Sequence, residues 1–233
     1  MPEWLSSLWG RLKLYNSLRP GEHSFCSVCL VCGDPDVVSA GLCMGCRADL
    51  PRRIAPRLNR KIVGISYAFA AFHYAFPISN LIKATKFSAD LCALAVLESC
   101  LVEASAAYVE RADFIVPVPL STIRFLHRGF NQSGELARAL GAAARCHVRY
   151  DCVRRTQSGP AQSQLSAAAR RHNVRQAFSI QADVTDAVIV LVDDVITTGA
   201  TVGTIARRLR AAGAAEVTAI ALAATPSRLL RID

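Results

Sequence analysis

Four cysteines have the spacing of a metal site. The first pair is Cys29 and Cys32, with two residues between them. The second pair, Cys43 and Cys46, has the same spacing and begins after ten further residues. Two thiolates at this spacing reach one ion when the backbone turns sharply between them, and two such turns complete a tetrahedron of sulfur ligands. The pattern therefore predicts a structural zinc ion bound by these four residues.

Cys26 complicates the ligand assignment, because it forms an equally spaced pair with Cys29. Gly33 directly follows Cys32 and supplies the backbone freedom of a sharp turn, so we expect Cys29 and Cys32 rather than Cys26. Free buried thiols and an iron–sulfur cluster are the alternatives to zinc. Four thiolates leave no open coordination position, so the ion is expected to stabilise the fold and to perform no chemistry.

A second segment could bind a ligand, because it contains two carboxylates followed by a loop with several hydroxyl groups. A run of apolar residues ends at Asp193 and Asp194, and the loop that follows contains Thr197, Thr198, Gly199, Ala200 and Thr201. Backbone N–H groups at the start of the next helix, together with threonine hydroxyls, suit a phosphate dianion. The carboxylates repel a phosphate, so their partners are neutral hydroxyls, as on a ribose whose 5′ carbon carries that phosphate.

The sequence VLVDDVITTGAT resembles the phosphoribosyl-pyrophosphate (PRPP) binding motif of type I phosphoribosyltransferases. The resemblance implies that Asp193 and Asp194 bind the ribose 2′ and 3′ hydroxyls and that residues 197–201 hold the 5′-phosphate. It also implies a magnesium ion shared between ribose and pyrophosphate. If PRPP reacts, the same carboxylates would stabilise the positive charge at the anomeric carbon. The alternative is an ordinary strand–loop–helix junction.

Further segments resemble the ComF competence-protein family over about residues 26 to 225. They are the cysteine region ending in CRADLP, Lys86-Phe87, residues 117–119 (PVP), residues 128–132 (RGFNQ) and residues 154–173. The resemblance implies a type I phosphoribosyltransferase fold with an N-terminal zinc module. It also implies a role with incoming single-stranded DNA, beside a helicase partner. The chain departs from the family in its extra Cys26 and in the amphipathic leader before it.

The positive charge is concentrated in the middle of the chain. Residues 120–175 carry ten arginines against two acidic residues, which is eight of the nine net charges. This asymmetry predicts an anionic partner, with a solvated basic face as the alternative. Residues 154–173 have the composition of a mobile loop over pyrophosphate, and four arginines bracket it: Arg154, Arg155, Arg170 and Arg171. Arg128 is expected to supply a second anion contact. Arginine suits both pyrophosphate and nucleic-acid phosphates, so both uses stay open.

Alternating strands and helices must position these residues. Apolar runs predict strands over 113–119, 187–192 and 216–223, and Ala/Leu-rich stretches predict helices over 131–145 and 200–212. This alternation predicts an α/β fold in which a parallel sheet is covered by helices. Residues 51–61 are rich in arginine and proline and are interpreted as a linker. The expected units are an amphipathic helix in 1–25, a zinc module in 26–55 and a phosphoribosyltransferase-like domain in 56–233.

Composition limits the possible protein classes. Hydrophobic residues make up 52% of the 233 residues, which is enough to bury a core and excludes a wholly disordered chain. The odd number of nine cysteines, and a start without the basic region of a secretory signal, favour the cytoplasm. The apolar run over 62–76 is too short to span a bilayer. The amphipathic stretch 4–18 is expected to dock on its own domain, so membrane contact is not expected.

Three functions are compatible with these features. The preferred one, which follows from the ComF resemblance, is a PRPP-binding protein that handles single-stranded DNA in natural transformation. The first alternative is a transferase that joins ribose 5-phosphate from PRPP to an unidentified base or amine. The second alternative is a PRPP sensor without turnover.

Overall fold

The computed structural model describes residues 26–54, 56–58, 61–156 and 177–226. The predicted N-terminal helix, Arg170 and Arg171 lie outside these ranges. The strands are β1 (Val37–Ser39), β2 (Leu42–Cys43), β3 (Tyr67–His73), β4 (Phe114–Pro117), β5 (His147–Val148), β6 (Val153–Arg155), β7 (Phe178–Ile180), β8 (Val188–Ile196) and β9 (Glu216–Ala224). The α-helices are α1 (Met44–Ala48), α2 (Ile78–Phe87), α3 (Leu91–Ser105), α4 (Thr122–Arg128), α5 (Gln132–Ala144) and α6 (Ala200–Ala211).

A five-stranded parallel sheet forms the centre of the molecule. The strand order is β3-β9-β8-β4-β5, and every neighbouring pair is parallel. The small β1-β2 and β6-β7 pairs are antiparallel. The predicted α/β fold with a parallel sheet is therefore confirmed.

Helices cover both faces of the sheet. Along β8, Ile189 and Leu191 pack in one apolar cluster with Ile205 of α6. Val190 and Val192 point to the opposite face, where the core includes residues of α2, α3 and α5. Burial on both faces explains why the strand reads as a continuous apolar run rather than an alternating one.

The connections reverse direction between β4 and β8. From β4 the chain continues outward to β5 at one edge, whereas from β8 it continues to β9 on the other side. In open parallel sheets, ligands bind in the crevice at the carboxyl ends of the strands where the order reverses. The topology therefore points to the ends of β4 and β8.

Strand β8 is longer than the apolar run that predicted it. Its pairing with β9 continues through Asp193 opposite Ala221 and Ile196 opposite Ala224. Asp193 and Asp194 thus lie on the extended end of the strand rather than in the following loop. The neighbouring strand supplies backbone partners that keep these polar residues in extended conformation.

Residues 51–53 and 56–58, in the segment interpreted as a linker, pair with the edge of the sheet. Arg52 and Arg57 make antiparallel bridges to Phe72 and Phe69 of β3. The Ala70 amide donates to the Pro56 carbonyl at 2.9 Å. Because β3 is an edge strand, its outer backbone groups need partners, and this segment provides them.

The cysteine region packs against the same core as the sheet. Leu42 and Leu50 belong to the apolar cluster that contains Phe72 and Val96. Among the described residues, one helical stretch, Leu91–Val109, is long and apolar enough to cross a membrane by length and composition. Of its apolar window, 56% is buried within the domain, as in a core helix.

Candidate functional site

The structure brings four cysteines together. The Sγ atoms of Cys29, Cys32, Cys43 and Cys46 all lie within 4.8 Å of one another. The Sγ atoms of Cys32 and Cys43 are 3.6 Å apart. Four sulfurs at the Zn–S bond length would be about 3.8 Å apart around a tetrahedral ion. The cluster therefore fits a four-coordinate metal ion.

Hydrogen bonds within the cysteine cluster involve the sulfur atoms and change the pKa values of the thiols. Cys43 ends β2 and caps α1, where its Sγ accepts a hydrogen bond of 3.5 Å from the Cys46 amide. Burial raises the pKa of the Cys29 thiol, but hydrogen bonds from the backbone of Cys43 and Cys32 outweigh it, and the pKa falls to about 6. A lowered pKa favours the thiolate, the form that binds metals, at Cys29. At Cys46 the direction is opposite, because a side-chain hydrogen bond with Cys32 and burial raise the pKa of its thiol.

Cys26 lies apart from the cluster. Burial and a hydrogen bond with Cys92 raise the pKa of Cys26 to about 12. Cys92 is the second residue of α3, so Cys26 packs against the main domain. This arrangement supports Cys32 rather than Cys26 as the partner of Cys29 in the ligand set.

A cavity of about 180 Å³ lies at the carboxyl ends of β4 and β8, where the topology predicts a ligand site. We call it the switch-point cavity. Its walls come from the ends of both strands, the start of α5 and the first turn of α6. Its polar lining includes Lys86, Arg124, Arg128, Asn131, Gln132, Ser133, Arg155, Asp193, Asp194 and Thr201.

Asp193 and Asp194 form the acidic side of the cavity. The Ser133 hydroxyl donates a hydrogen bond of 3.1 Å to Asp193 Oδ1, and the Asp194 amide donates one of 2.9 Å to the same atom. The Lys86 ammonium forms an ion pair with Asp194. Burial and the neighbouring charge of Asp194 raise the pKa of Asp193 to about 7. Both carboxylates line the cavity and are available as acceptors for hydroxyl groups.

The loop from Thr197 to Thr201 connects this acidic side to α6. Gly199 has φ +80°, and a Cβ there would lie 2.6 Å from Ile62 Cδ1. The Ala200 amide donates to Thr198 Oγ1 at 3.3 Å. The left-handed residue turns the chain sharply into the helix, and Thr201 lines the cavity. The loop thus presents the start of a twelve-residue helix next to the two carboxylates.

Three arginines form the basic side. Burial and the nearby charge of Arg124 lower the pKa of Arg155, and they also lower the pKa of Arg128, against the attraction of Asp194. The buried Nε of Arg155 has no hydrogen-bond partner among the described residues. These guanidinium groups are partly buried and repel one another, and one of their N–H donors has no partner among the described residues. A multivalent anion would relieve the repulsion and accept that hydrogen bond.

The structure separates the predicted arginines. Arg128 and Arg155 line the cavity, but Arg154 points away from it because side chains alternate along β6. Sequence reasoning did not assign site roles to Lys86, Arg124 or Ser133. The sequence could have indicated two of them. Lys86 belongs to the Lys86-Phe87 segment of the family resemblance, and Arg124 belongs to the basic stretch 120–175.

Comparisons with known proteins agree with this architecture. The family described as "Phosphoribosyl transferase domain" matches residues 125–233. The chain is 33% identical over 207 residues to a protein of Escherichia coli O157:H7 named DNA utilization protein YhgH, covering 86% of this chain and 90% of that protein.

Two further relatives have competence names. Competence protein F of Haemophilus influenzae is 33% identical over 153 residues, or 62% of this chain and 67% of that protein. Competence protein ComFC of Streptococcus pneumoniae is 32% identical over 161 residues, or 69% of each chain. With relatives of this similarity along most of its length, the chain belongs to the ComF family and carries the phosphoribosyltransferase fold of that family.

Proposed function

We propose that this protein binds PRPP, together with Mg²⁺, in the switch-point cavity. The observation that carries the proposal is the separation of charge within one cavity, with Asp193 and Asp194 on one side and Arg124, Arg128 and Arg155 on the other. PRPP has the matching polarity, because its ribose offers hydroxyl groups and its pyrophosphate carries several negative charges.

Each part of PRPP has a partner in this arrangement. The ribose hydroxyls donate to the carboxylates of Asp193 and Asp194, and the loop 197–201 holds the 5′-phosphate at the start of α6. The three arginines bind the pyrophosphate. Mg²⁺ prefers oxygen ligands such as carboxylates and phosphates, so the acidic side fits this ion.

Calorimetry with PRPP and MgCl₂ tests the proposal. Asp194→Asn removes one carboxylate with little change of shape, and we expect the affinity for PRPP to fall about tenfold or more. Arg154→Ala is the control, because this arginine is exposed and does not line the cavity; its affinity should equal that of the unchanged protein. Wild-type affinity in Asp194→Asn, and in the matching Asp193→Asn, would contradict the ribose assignment.

We further propose that the protein handles single-stranded DNA during DNA uptake or use, in the cytoplasm and beside a helicase. The proposal is supported by the names of the relatives and by the excess of eight positive charges in residues 120–175. We also propose that the four-cysteine cluster binds a zinc ion that stabilises the fold, because its Sγ atoms all lie within 4.8 Å of one another.

A further inference from the structure

Gln132 is a buried amide at the edge of the switch-point cavity. It is the first residue of α5, and 3% of its surface is exposed. Its Oε1 accepts a hydrogen bond of 3.2 Å from Arg128 Nη1, and its Nε2 donates one of 3.3 Å to the Thr85 carbonyl. A guanidinium only donates and a carbonyl only accepts, so the two bonds together determine the orientation of the amide.

Of the two hydrogen-bond partners of Gln132, one is a cation of the cavity and the other is the neighbour of a second cation. Arg128 is the last residue of α4 and lines the cavity itself. Thr85 lies in the last turn of α2 and directly precedes Lys86, which forms the ion pair with Asp194. One side chain therefore links the ends of two helices that come from distant parts of the chain.

Buried hydrogen bonds hold Gln132 and its two partners in a single arrangement. Thr85 is buried, and its hydroxyl donates to the Ile82 carbonyl at 2.8 Å, which holds the end of α2 in place. A buried amide costs free energy unless each of its polar atoms is paired, so Gln132 favours the arrangement that satisfies both partners. Arginine side chains have many rotamers, and ordering Arg128 before a ligand arrives reduces the entropy lost on binding.

We propose that Gln132 is a positioning residue that orders Arg128, and the helix end that carries Lys86, for the pyrophosphate group of the ligand. This inference rests on the proposed binding of PRPP. It concerns one end of the ligand only, because the 5′-phosphate is assigned to a different element, the loop 197–201. Gln132 does not itself need to touch the pyrophosphate.

Parallel titrations with PRPP and with ribose 5-phosphate, both with MgCl₂, test this role. Gln132→Met keeps the length of the side chain but removes both hydrogen bonds, and we expect the affinity for PRPP to fall about tenfold. The affinity for ribose 5-phosphate should stay within about twofold, because that ligand lacks the pyrophosphate. Gln181→Met is the matched control, since Gln181 is exposed and its side-chain Nε2 donates to the neighbouring Ser179 hydroxyl and Ile180 carbonyl, away from the cavity lining.

A second variant covers the case in which Gln132→Met impairs folding. Gln132→Glu keeps an acceptor for Arg128 and loses the donor to the Thr85 carbonyl, so its affinity for PRPP should lie between those of wild type and Gln132→Met. Unchanged PRPP affinity in both variants, or equal losses for both ligands, would overturn the positioning role while leaving the PRPP site intact. If the unchanged protein binds neither ligand, the proposed function and this inference both fail.

Discussion

At the scale of single residues, the paired aspartates combine acidity with burial. The pKa of Asp193 is raised to about 7 by burial and by the charge of Asp194, whereas a carboxyl group of this type in an unfolded chain has a pKa near 3.9. Asp193 therefore keeps a proton in the folded protein over a pH range in which the unfolded chain releases it. The free energy of unfolding depends on pH in that range.

We expect Asp193 to reduce stability as the pH rises from about 4 to about 7. The folded state binds more protons than the unfolded state in this window, so raising the pH favours unfolding. Urea unfolding at pH 5 and pH 8 should show that wild type loses on the order of 2 kcal/mol more than Asp193→Asn across this change. An identical pH dependence in the two proteins would contradict the raised pKa.

Gly199 gives a second prediction at this scale. Gly199→Ala places a Cβ 2.6 Å from Ile62 Cδ1 at a residue with φ +80°, so we expect a loss of about 1–3 kcal/mol in the free energy of unfolding. PRPP binding should weaken as well, because the loop must shift. Gly45→Ala is the control, since a Cβ at this helical position meets nothing within 4 Å. Similar stabilities for the two variants would show that the loop has room to adapt.

At the scale of elements, the cysteine region packs against the core of the sheet. Leu42 and Leu50 share an apolar cluster with Phe72, and Arg47 forms an ion pair of 2.8 Å with Glu103 of α3. Strands as short as β1 and β2 do not hold a fold by themselves, so they depend on the main domain, and a metal ion bound by the four cysteines would add to that support.

We expect removal of the metal to destabilise the whole chain. Elemental analysis should find about one zinc ion per chain, and a chelator should lower the Tm of the entire unfolding transition because the region belongs to the common core. Cys32→Ser should lose the metal, whereas Cys146→Ser should keep it, since Cys146 lies outside the cluster. A metal-free protein with unchanged Tm would exclude this supporting role.

Helices α3 and α5 are joined by a charged pair inside their interface. Arg138 Nη2 donates to both carboxylate oxygens of Glu98, at 3.1 and 3.3 Å, and 3% of Glu98 is exposed. Arg138→Met removes these bonds from a buried carboxylate, so we expect unfolding by urea to require about 3 kcal/mol less free energy. Adding Glu98→Gln should restore part of this loss. A double variant as unstable as the sum of both single changes would contradict the pairing.

At the scale of the whole molecule, the arginines of the basic stretch fall into two groups, those that line the switch-point cavity and those that lie elsewhere. The arginines of the cavity come from α4 and β6, whereas Arg154 is exposed on β6. Arg138, Arg145 and Arg149 of the basic stretch also lie in the described ranges, whereas Arg170, Arg171 and Arg175 lie outside them. The middle of the chain thus carries cations both inside the site and on its surface.

We expect single-stranded DNA to bind through the basic stretch in a salt-dependent way. The logarithm of the affinity for a labelled oligothymidylate should fall linearly with the logarithm of the NaCl concentration, by about 0.7 for each neutralised phosphate. Replacing Arg170 and Arg171 with alanine should make this slope less steep, whereas Arg111→Ala, outside the stretch, should not change it. Anisotropy measurements that show no binding, or binding without salt dependence, would contradict the DNA proposal.

Local patterns determined what could be predicted without a structure. The paired cysteines predicted a cluster because each pair closes over a few residues, and the β8–loop–α6 segment predicted a strand, a sharp turn and a helix in sequence. The alternation of apolar runs predicted the parallel sheet. The interpretation of residues 51–61 as a linker did not include the pairing of Arg52 and Arg57 with β3, because the sequence does not show that β3 is an edge strand that needs backbone partners.

The amino-acid sequence alone specified the chemistry of the acidic pair and its loop, since those residues are neighbours along the chain. Only the tertiary structure decided which side chains from other parts of the chain face them. Ser133 bonds to Asp193 across 60 residues, and Lys86 reaches Asp194 from the end of a different helix. These contacts depend on the order of strands in the sheet, which brings the ends of β4 and β8 side by side.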